Sequence, residues 1–206
     1  MLQEERSERS RTVILDAALE LFSHRGYGAT SIRDIAGAAA VSTGSVYHHF
    51  KDKEAIFQTL LDQFWAATEE KDFPMNRAIE QGAFPDDLAA LGEAAREIIT
   101  NWRRHVTLIY VDVVEFEGRH IHRFYSDLSH RFARIFEERG DAPRLAARLR
   151  PGIPPEAALM MTMRVFIYYF VVEQLWGVPN HYGMSSDEAT RIITDVLKHG
   201  MLVRDA

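Results

Sequence analysis

Residues 30–54, TSIRDIAGAAAVSTGSVYHHFKDKE, hold two helix starts so close together that the first helix has room for only about two turns. A helix that short is marginal in water by itself, so the segment requires other helices to lean on. Thr30 or Ser31 can cap the first helix, with Ser31 and Asp34 in capping-box register and Ile32, Ile35, Ala36 and Ala39 turned inward. After Val41 a second cap, Ser42, opens a helix that places Val46 and Phe50 on one face and Thr43, Gly44, Tyr47 and His48 on the other. Surface helices normally carry Lys and Glu. An outward face of hydroxyls, glycine and aromatic rings suits a helix pushed into a groove instead. Small residues let the backbone approach, helix-start amides and hydroxyls bind phosphate, and Tyr47, His48 and Lys53 have the length to meet phosphate oxygens or base edges.

Before this segment, Ile14, Ala17, Ala18, Leu21 and Phe22 recur at helical spacing, so a helix is predicted from Arg11 to about Arg25, ended by Gly26. Residues 1–10 are charged and read as a frayed tail, and Arg6, Arg9 and Arg11 are candidates for contact with the DNA backbone. The stretch from Arg11 to Ile56 resembles the DNA-binding domain of the tetracycline-repressor (TetR) family of bacterial regulators. The resemblance rests on Ala17-Ala18, Leu21-Phe22, Gly26-Tyr27, Thr30, Asp34-Ile35-Ala36, Val41-Ser42, Tyr47-His48-His49-Phe50 and Lys53-Glu54. It implies an all-α protein: a three-helix helix-turn-helix domain over residues 1–54, and a helical effector-binding and dimerisation domain over 55–206 whose residues 52–70 form the connecting helix. The implied DNA contacts are Thr30, Arg33, Ser42, Thr43, Gly44, Ser45, Tyr47, His48, His49 and Lys53. At one place the pattern departs. Members of the family usually carry Gly before the Val of the turn, where this chain has Ala40, and a non-glycine residue at positive φ there costs roughly 1 kcal/mol.

Downstream, Asp52 caps a helix striped with Ile56, Phe57, Leu60, Leu61, Phe64 and Trp65. Pro74, Gly82 and Pro85 then break the period into a loop with one short helical turn. A helix starts at Asp86 or Asp87 and runs to about Trp102. The β-branched run from His105 to Phe116 is read as helix because no second strand-like run exists to pair with it. Gly118 marks a break, a further helix reaches Gly140, and Leu145 and Leu149 suggest a short helix inside a Pro-rich connection. From Glu156 to Trp176 the chain is apolar nearly all round and must be covered all round, which implies a partner surface. The last helix carries Ile192, Ile193, Val196 and Leu197. With Phe166 and Phe170 these are the predicted interface residues of a two-fold, four-helix dimer, which would set two reading helices one DNA turn apart, roughly 34–36 Å.

Aromatic side chains crowd the middle of the chain, and most such stripes are core. The family resemblance implies that some line an apolar effector cavity, for which the candidates are Trp65, Trp102, His105, Tyr110, Phe124, Phe166 and Tyr169, with Asn101, Asp112 and Glu115 as further polar candidates. Glu117/His120 and Asp127/His130 have the Glu-x-x-His spacing of metal-binding bundles, yet they sit ten residues apart on one expected helix and read as surface or capping histidines. No phosphate loop, nucleophile elbow or zinc spacing appears, so no cofactor or metal is expected and the chain is not read as an enzyme. The net charge of −6 does not oppose DNA binding, because the local field at the docking face decides, and residues 1–54 are close to neutral.

The absence of cysteine, the charged N-terminus and the short apolar run from Val165 to Val172 point to a cytoplasmic protein with no membrane partner. The expected function is a ligand-responsive transcriptional regulator, in most such proteins a repressor, whose partners are a palindromic double-stranded operator, a second copy of the chain and a small, largely apolar effector. The alternatives are a metal-dependent helical-bundle enzyme and an interaction module that keeps the fold without DNA binding.

Overall fold

The computed structural model describes residues 2–203. The outer limits of the two expected domains, residue 1 and residues 204–206, lie outside the described residues. The helices are α1 (Leu2–Arg25), α2 (Ile32–Ala38), α3 (Thr43–His49), α4 (Lys53–Glu69), α5 (Pro74–Glu80), α6 (Leu88–Asn101), α7 (Arg103–Phe116), α8 (His122–Glu138), α9 (Ala142–Arg148), α10 (Pro155–Phe170) and α11 (Ser186–Met201). A π-helical turn, Val171–Leu175, continues α10. Among the described residues the β pairing is a single antiparallel bridge between Leu149 and Leu202. The protein is therefore all-helical, and the β-branched run read as helix is α7.

Compactness does not divide the chain at residue 54. One unit takes the residues up to Ala67 together with Arg104–His122, and the other takes Thr68–Arg103 together with the residues from Arg123 onward. The first unit is built on Ile14, Leu15, Ala18, Leu19 and Phe22 of α1, Ile35 and Ala36 of α2, Val46 and Phe50 at α3, and Ile56, Phe57, Leu60 and Leu61 of α4, with Leu108 and Ile121 closing the same core. Leu108 and Ile121 come from α7 and the turn after it, which is why that segment joins the first unit. The expected frayed tail is instead helical, since α1 starts at Leu2. Glu and Arg dominate those residues, and both are good helix formers.

In the second unit α6 lies against α10, with Leu88, Leu91, Ala95 and Ile99 on one side and Ala158, Leu159, Thr162, Phe166 and Phe170 on the other, all buried. Gly92 permits the approach: a Cβ there would stand 3.1 Å from the Phe166 ring and 3.2 Å from the Thr190 methyl. Phe166, Phe170 and Ile193 are consequently core residues of their own unit, at 0%, 0% and 7% exposure, and not dimer-face residues. The apolar side chains left outward on these helices are Met161, Val165, Tyr168, Ile192 and Val196. By length and apolarity Pro155–Leu175 also resembles a membrane-crossing helix, longer than the run visible in the sequence. Its buried stripe against α6 is the arrangement of a core helix.

Candidate nucleic-acid interface

The two caps form as their residue types dictate. Ser31 Oγ accepts the Asp34 amide at 3.1 Å while Asp34 Oδ2 accepts the Ser31 amide at 2.8 Å, a complete capping box that starts α2. The Ser31 hydroxyl and amide hold the Asp34 carboxyl below its ordinary range. At the next start, Ser42 Oγ accepts the Ser45 amide at 3.1 Å. Asp52 does the same for α4, accepting the Ala55 amide at 2.8 Å.

Between α2 and α3 the chain turns through Ala40 at φ +54°. The Val41 amide reaches Ala36 O at 3.0 Å and the Ala40 amide reaches Gly37 O at 3.2 Å, the paired bonds of a Schellman motif with Ala40 in the left-handed position. The anticipated conflict at this residue is real: the turn keeps its geometry and Ala40 carries the strain.

On α3, Val46 is buried and Phe50 follows it into the core, while Ser42, Thr43, Gly44, Tyr47 and His48 are exposed and Ser45 and His49 are half-covered. Tyr47 is 58% exposed, unusual for a tyrosine in a compact head and the clearest sign that this face is meant for something else. Ser10 Oγ lies 3.2 Å from Ser45 Oγ, and the Arg11 guanidinium sits 5.3 Å from the Phe50 ring, so the N-terminal part of α1 runs alongside the reading helix. Sequence reading left Ser10 in the tail, and only the helix-forming composition there signalled otherwise. Burial, followed by the charges of His48 and Arg11, lowers the pKa of His49.

Two expected contacts have other duties. Thr30 is 2% exposed and its hydroxyl donates to Gly26 O at 2.9 Å, which removes that side chain from the docking face. Lys53 donates to Tyr27 O and Thr30 O, both at 2.7 Å, and its ammonium lies 3.9 Å from the centre of the Tyr27 ring. Two of its three N–H donors are thus committed inside the head. Arg33 remains exposed on α2.

The expected effector residues are drawn from both compact units. Trp65 and His105 both flank Phe64, with ring centroids 5.2 and 5.9 Å away, and belong with Tyr110 to the first unit. Trp102, Phe124, Phe166 and Tyr169 belong to the second unit, where Phe166 and Tyr169 are fully buried and the Tyr169 hydroxyl donates to Glu173 at 3.2 Å. Asp112 and Glu115, considered for ligand orientation, serve the first unit instead. His120 is not a surface histidine: its Nδ1 lies 2.5 Å from buried Asp112 and its Nε2 lies 3.3 Å from Glu54, with the side chain 7% exposed. The Glu117 spacing therefore plays no part in how His120 is held.

An all-helical chain whose head presents a capped short helix behind a tight turn is a helix-turn-helix protein. Residues 14–60 match the sequence profile described as "Bacterial regulatory proteins, tetR family". The chain is 50% identical over 54 residues to the HTH-type transcriptional repressor KstR2 of Rhodococcus jostii, a stretch covering 26% of each protein. It is 35% identical over 118 residues to the HTH-type transcriptional regulator AcrR of Shigella flexneri, covering 54% of this chain and 53% of that one. The similarity thus spans between about a quarter and a half of the length of these curated relatives. In fold, a tetR-family regulatory protein from Rhodococcus RHA1 superposes with a TM-score of 0.63 at 22% identity, over 95% of this chain and 98% of that one. The tetR-family match of this chain thus rests on residues 14–60, the head that carries the two capped helices.

Proposed function

We propose that the protein is a homodimeric, ligand-responsive transcriptional repressor that reads a palindromic operator with α3 and is released by a small, largely apolar effector. The observation that carries the DNA-reading part is the outward face of α3, where Thr43, Gly44, Tyr47 and His48 stand clear of the core behind the Ser42 cap. The helix start offers amides to phosphate, while Thr43 and Ser45 sit at the leading turn, the part of a reading helix that meets base edges. Tyr47, His48 and His49 reach outward as donors to phosphate, with Arg33 and the remaining N–H of Lys53 alongside.

Dimerisation is assigned to the outward sides of α10 and α11, through Met161, Val165, Tyr168, Ile192, Val196 and half-covered Leu197. The exposed apolar side chains there are adjacent in helical register, and isolated monomers seldom leave such a face open. A two-fold axis at this face repeats the head, so the operator is a pair of half-sites. Release by an effector requires that it bind the DNA-incompetent arrangement more tightly than the competent one. Titration of the DNA upstream of the protein's own coding sequence, by mobility shift and fluorescence anisotropy, tests the reading. Salt-dependent binding that prefers one palindrome supports it, and indifference between that DNA and random duplex refutes it.

A further inference from the structure

The turn joining α1 to α2 is gripped from two sides by side chains far from it in sequence. Glu115, at the end of α7, accepts the Tyr27 amide through Oε1 at 2.8 Å and the Gly28 amide through Oε2 at 2.5 Å. Lys53, at the start of α4, takes the Tyr27 and Thr30 carbonyls at 2.7 Å each. The Tyr27 residue thus has its N–H held by an anion and its C=O by a cation. Its ring is packed among Phe22, Phe57 and Phe116, with centroids 5.5, 5.6 and 4.5 Å away. The carboxylate has taken the room a side chain would need: a Cβ on Gly26 would lie 2.8 Å from Oε1, and one on Gly28 would lie 2.9 Å from Oε2. Gly26 is at φ +83°, so its glycine is required by the backbone as well, whereas Gly28 has no such requirement and is small only for Glu115.

The same end of α7 is fastened a second time. Asp112, fully buried, holds His120 Nδ1 at 2.5 Å and the Ile121 amide at 3.2 Å, and His120 Nε2 reaches Glu54 at 3.3 Å on the first turn of α4. Two anchors on one helix end leave Glu115 little freedom, so the turn it grips is set by α7 rather than by its own sequence.

Resting on the proposed DNA-reading role of α3, we propose that Glu115 is a positioning residue for operator recognition. It fixes the turn from which α2 departs, and through α2 and the Ala40 turn it fixes the angle at which α3 is presented. The sign of its effect separates this role from simple electrostatics. Glu115 is a negative charge on a DNA-binding head, so losing only that charge tightens DNA binding. A positioning residue does the reverse, and its removal weakens binding although a repulsive charge has gone.

The test uses the full-length protein with Glu115→Ala, Glu115→Asp and Gly28→Ala, the last of which displaces the carboxylate without changing any charge. Amide hydrogen exchange over residues 26–31 is measured beside affinity for the upstream DNA fragment. The expected result is faster exchange in that segment and about tenfold weaker DNA binding in Glu115→Ala and Gly28→Ala, the size of a lost charge-assisted hydrogen bond. The slope of log affinity against log salt stays as in the parent, because no phosphate contact is lost. The double variant Glu115→Ala/Gly28→Ala is no weaker than either single one, as both break one contact. Unchanged exchange, or binding as tight as or tighter than the parent, overturns the proposal. If Glu115→Ala does not fold, Glu115→Asp, with its shorter reach, and Gly28→Ala carry the same comparison. If the parent protein binds no DNA, the regulator reading fails while the exchange data still decide whether Glu115 holds the turn.

Discussion

Replacing Ala40 by Gly should stabilise this protein, against the usual direction of an Ala-to-Gly change. Ala40 sits at φ +54° in the left-handed position of the Schellman turn that ends α2, and both bonds of the motif are made. An L-residue there costs roughly 1–2 kcal/mol, which glycine avoids. Glycine also adds freedom to the unfolded chain, which takes back about 0.4–1 kcal/mol. Taking the middle of each range, the net gain is about 0.8 kcal/mol. For a chain of this size each kcal/mol moves the melting midpoint by about 2–4 °C, so Ala40→Gly should melt about 1–4 °C higher than the parent. Ala40→Val, which puts a β-branched side chain at positive φ, should melt lower than the parent. Calorimetry or circular dichroism on the three proteins at matched concentration is the assay. A midpoint order other than Gly above Ala above Val would mean that the turn relaxes when the residue changes, and that no strain resides there.

Other outcomes follow from the same geometry. Tyr47→Ala should weaken binding to every DNA sequence by a similar factor, whereas Thr43→Ala and Ser45→Ala should change which sequence is preferred, measured by anisotropy on a panel of single-base variants. Val196→Glu and Val165→Glu should give a monomer by light scattering while leaving helix content intact, since each adds a charge to an outward apolar face and touches no core residue. Burial beside Phe64, and then Arg104, pushes His105 down to about 4 from the ordinary 6.5. The unfolded chain then takes up that proton first. The stabilisation is complete above about pH 6.5 and is lost as pH falls towards 4, on the order of 1–2 kcal/mol once partial exposure is allowed for. His105→Phe should flatten the pH dependence of the melting midpoint between 6.5 and 4, and an unchanged profile would refute the assignment.

What the sequence disclosed was local. The caps at Ser31, Ser42 and Asp52 each depend on a residue meeting an amide three positions away, and all three form. Ala40 stood out through the family resemblance, whose members usually carry glycine at that place, and its φ is +54°. Long-range partnerships were not legible. Nothing near Glu115 in sequence announces that it will grip amides 87 and 88 residues earlier, and nothing near His120 announces Asp112 on one side and Glu54 on the other. These acidic residues looked available for a ligand because sequence records charge and not what neutralises it. The head outgrew residues 1–54 for a related reason: Leu108 and Ile121 pack into its core from a segment more than fifty residues further along the chain.

The hardest residues to place were on α10, where the difficulty is physical. A helix apolar on all sides gives no moment to say which side is core, so Phe166 and Phe170 looked as suitable for a partner as Val165 and Tyr168. What separates them is Gly92 on α6. Its missing side chain admits the Phe166 ring, which aligns Ala158, Leu159, Thr162 and Phe170 with the same seam and turns Met161, Val165 and Tyr168 the other way. The large rings fill the deep side because a glycine opposite makes room for them, and the smaller or amphipathic side chains are left for the surface. A Gly92→Ala change should therefore act on the proposed dimer indirectly. The new methyl would stand 3.1–3.2 Å from Phe166 and Thr190, closer than ordinary van der Waals contact, and any rotation of α10 that relieves this also turns Val165 and Tyr168 away from their present register. Weakened dimerisation in Gly92→Ala, with Val165 and Tyr168 themselves untouched, would show that core and interface on this helix are set by one packing decision. An unaltered dimer with only a lowered melting midpoint would show that they are independent.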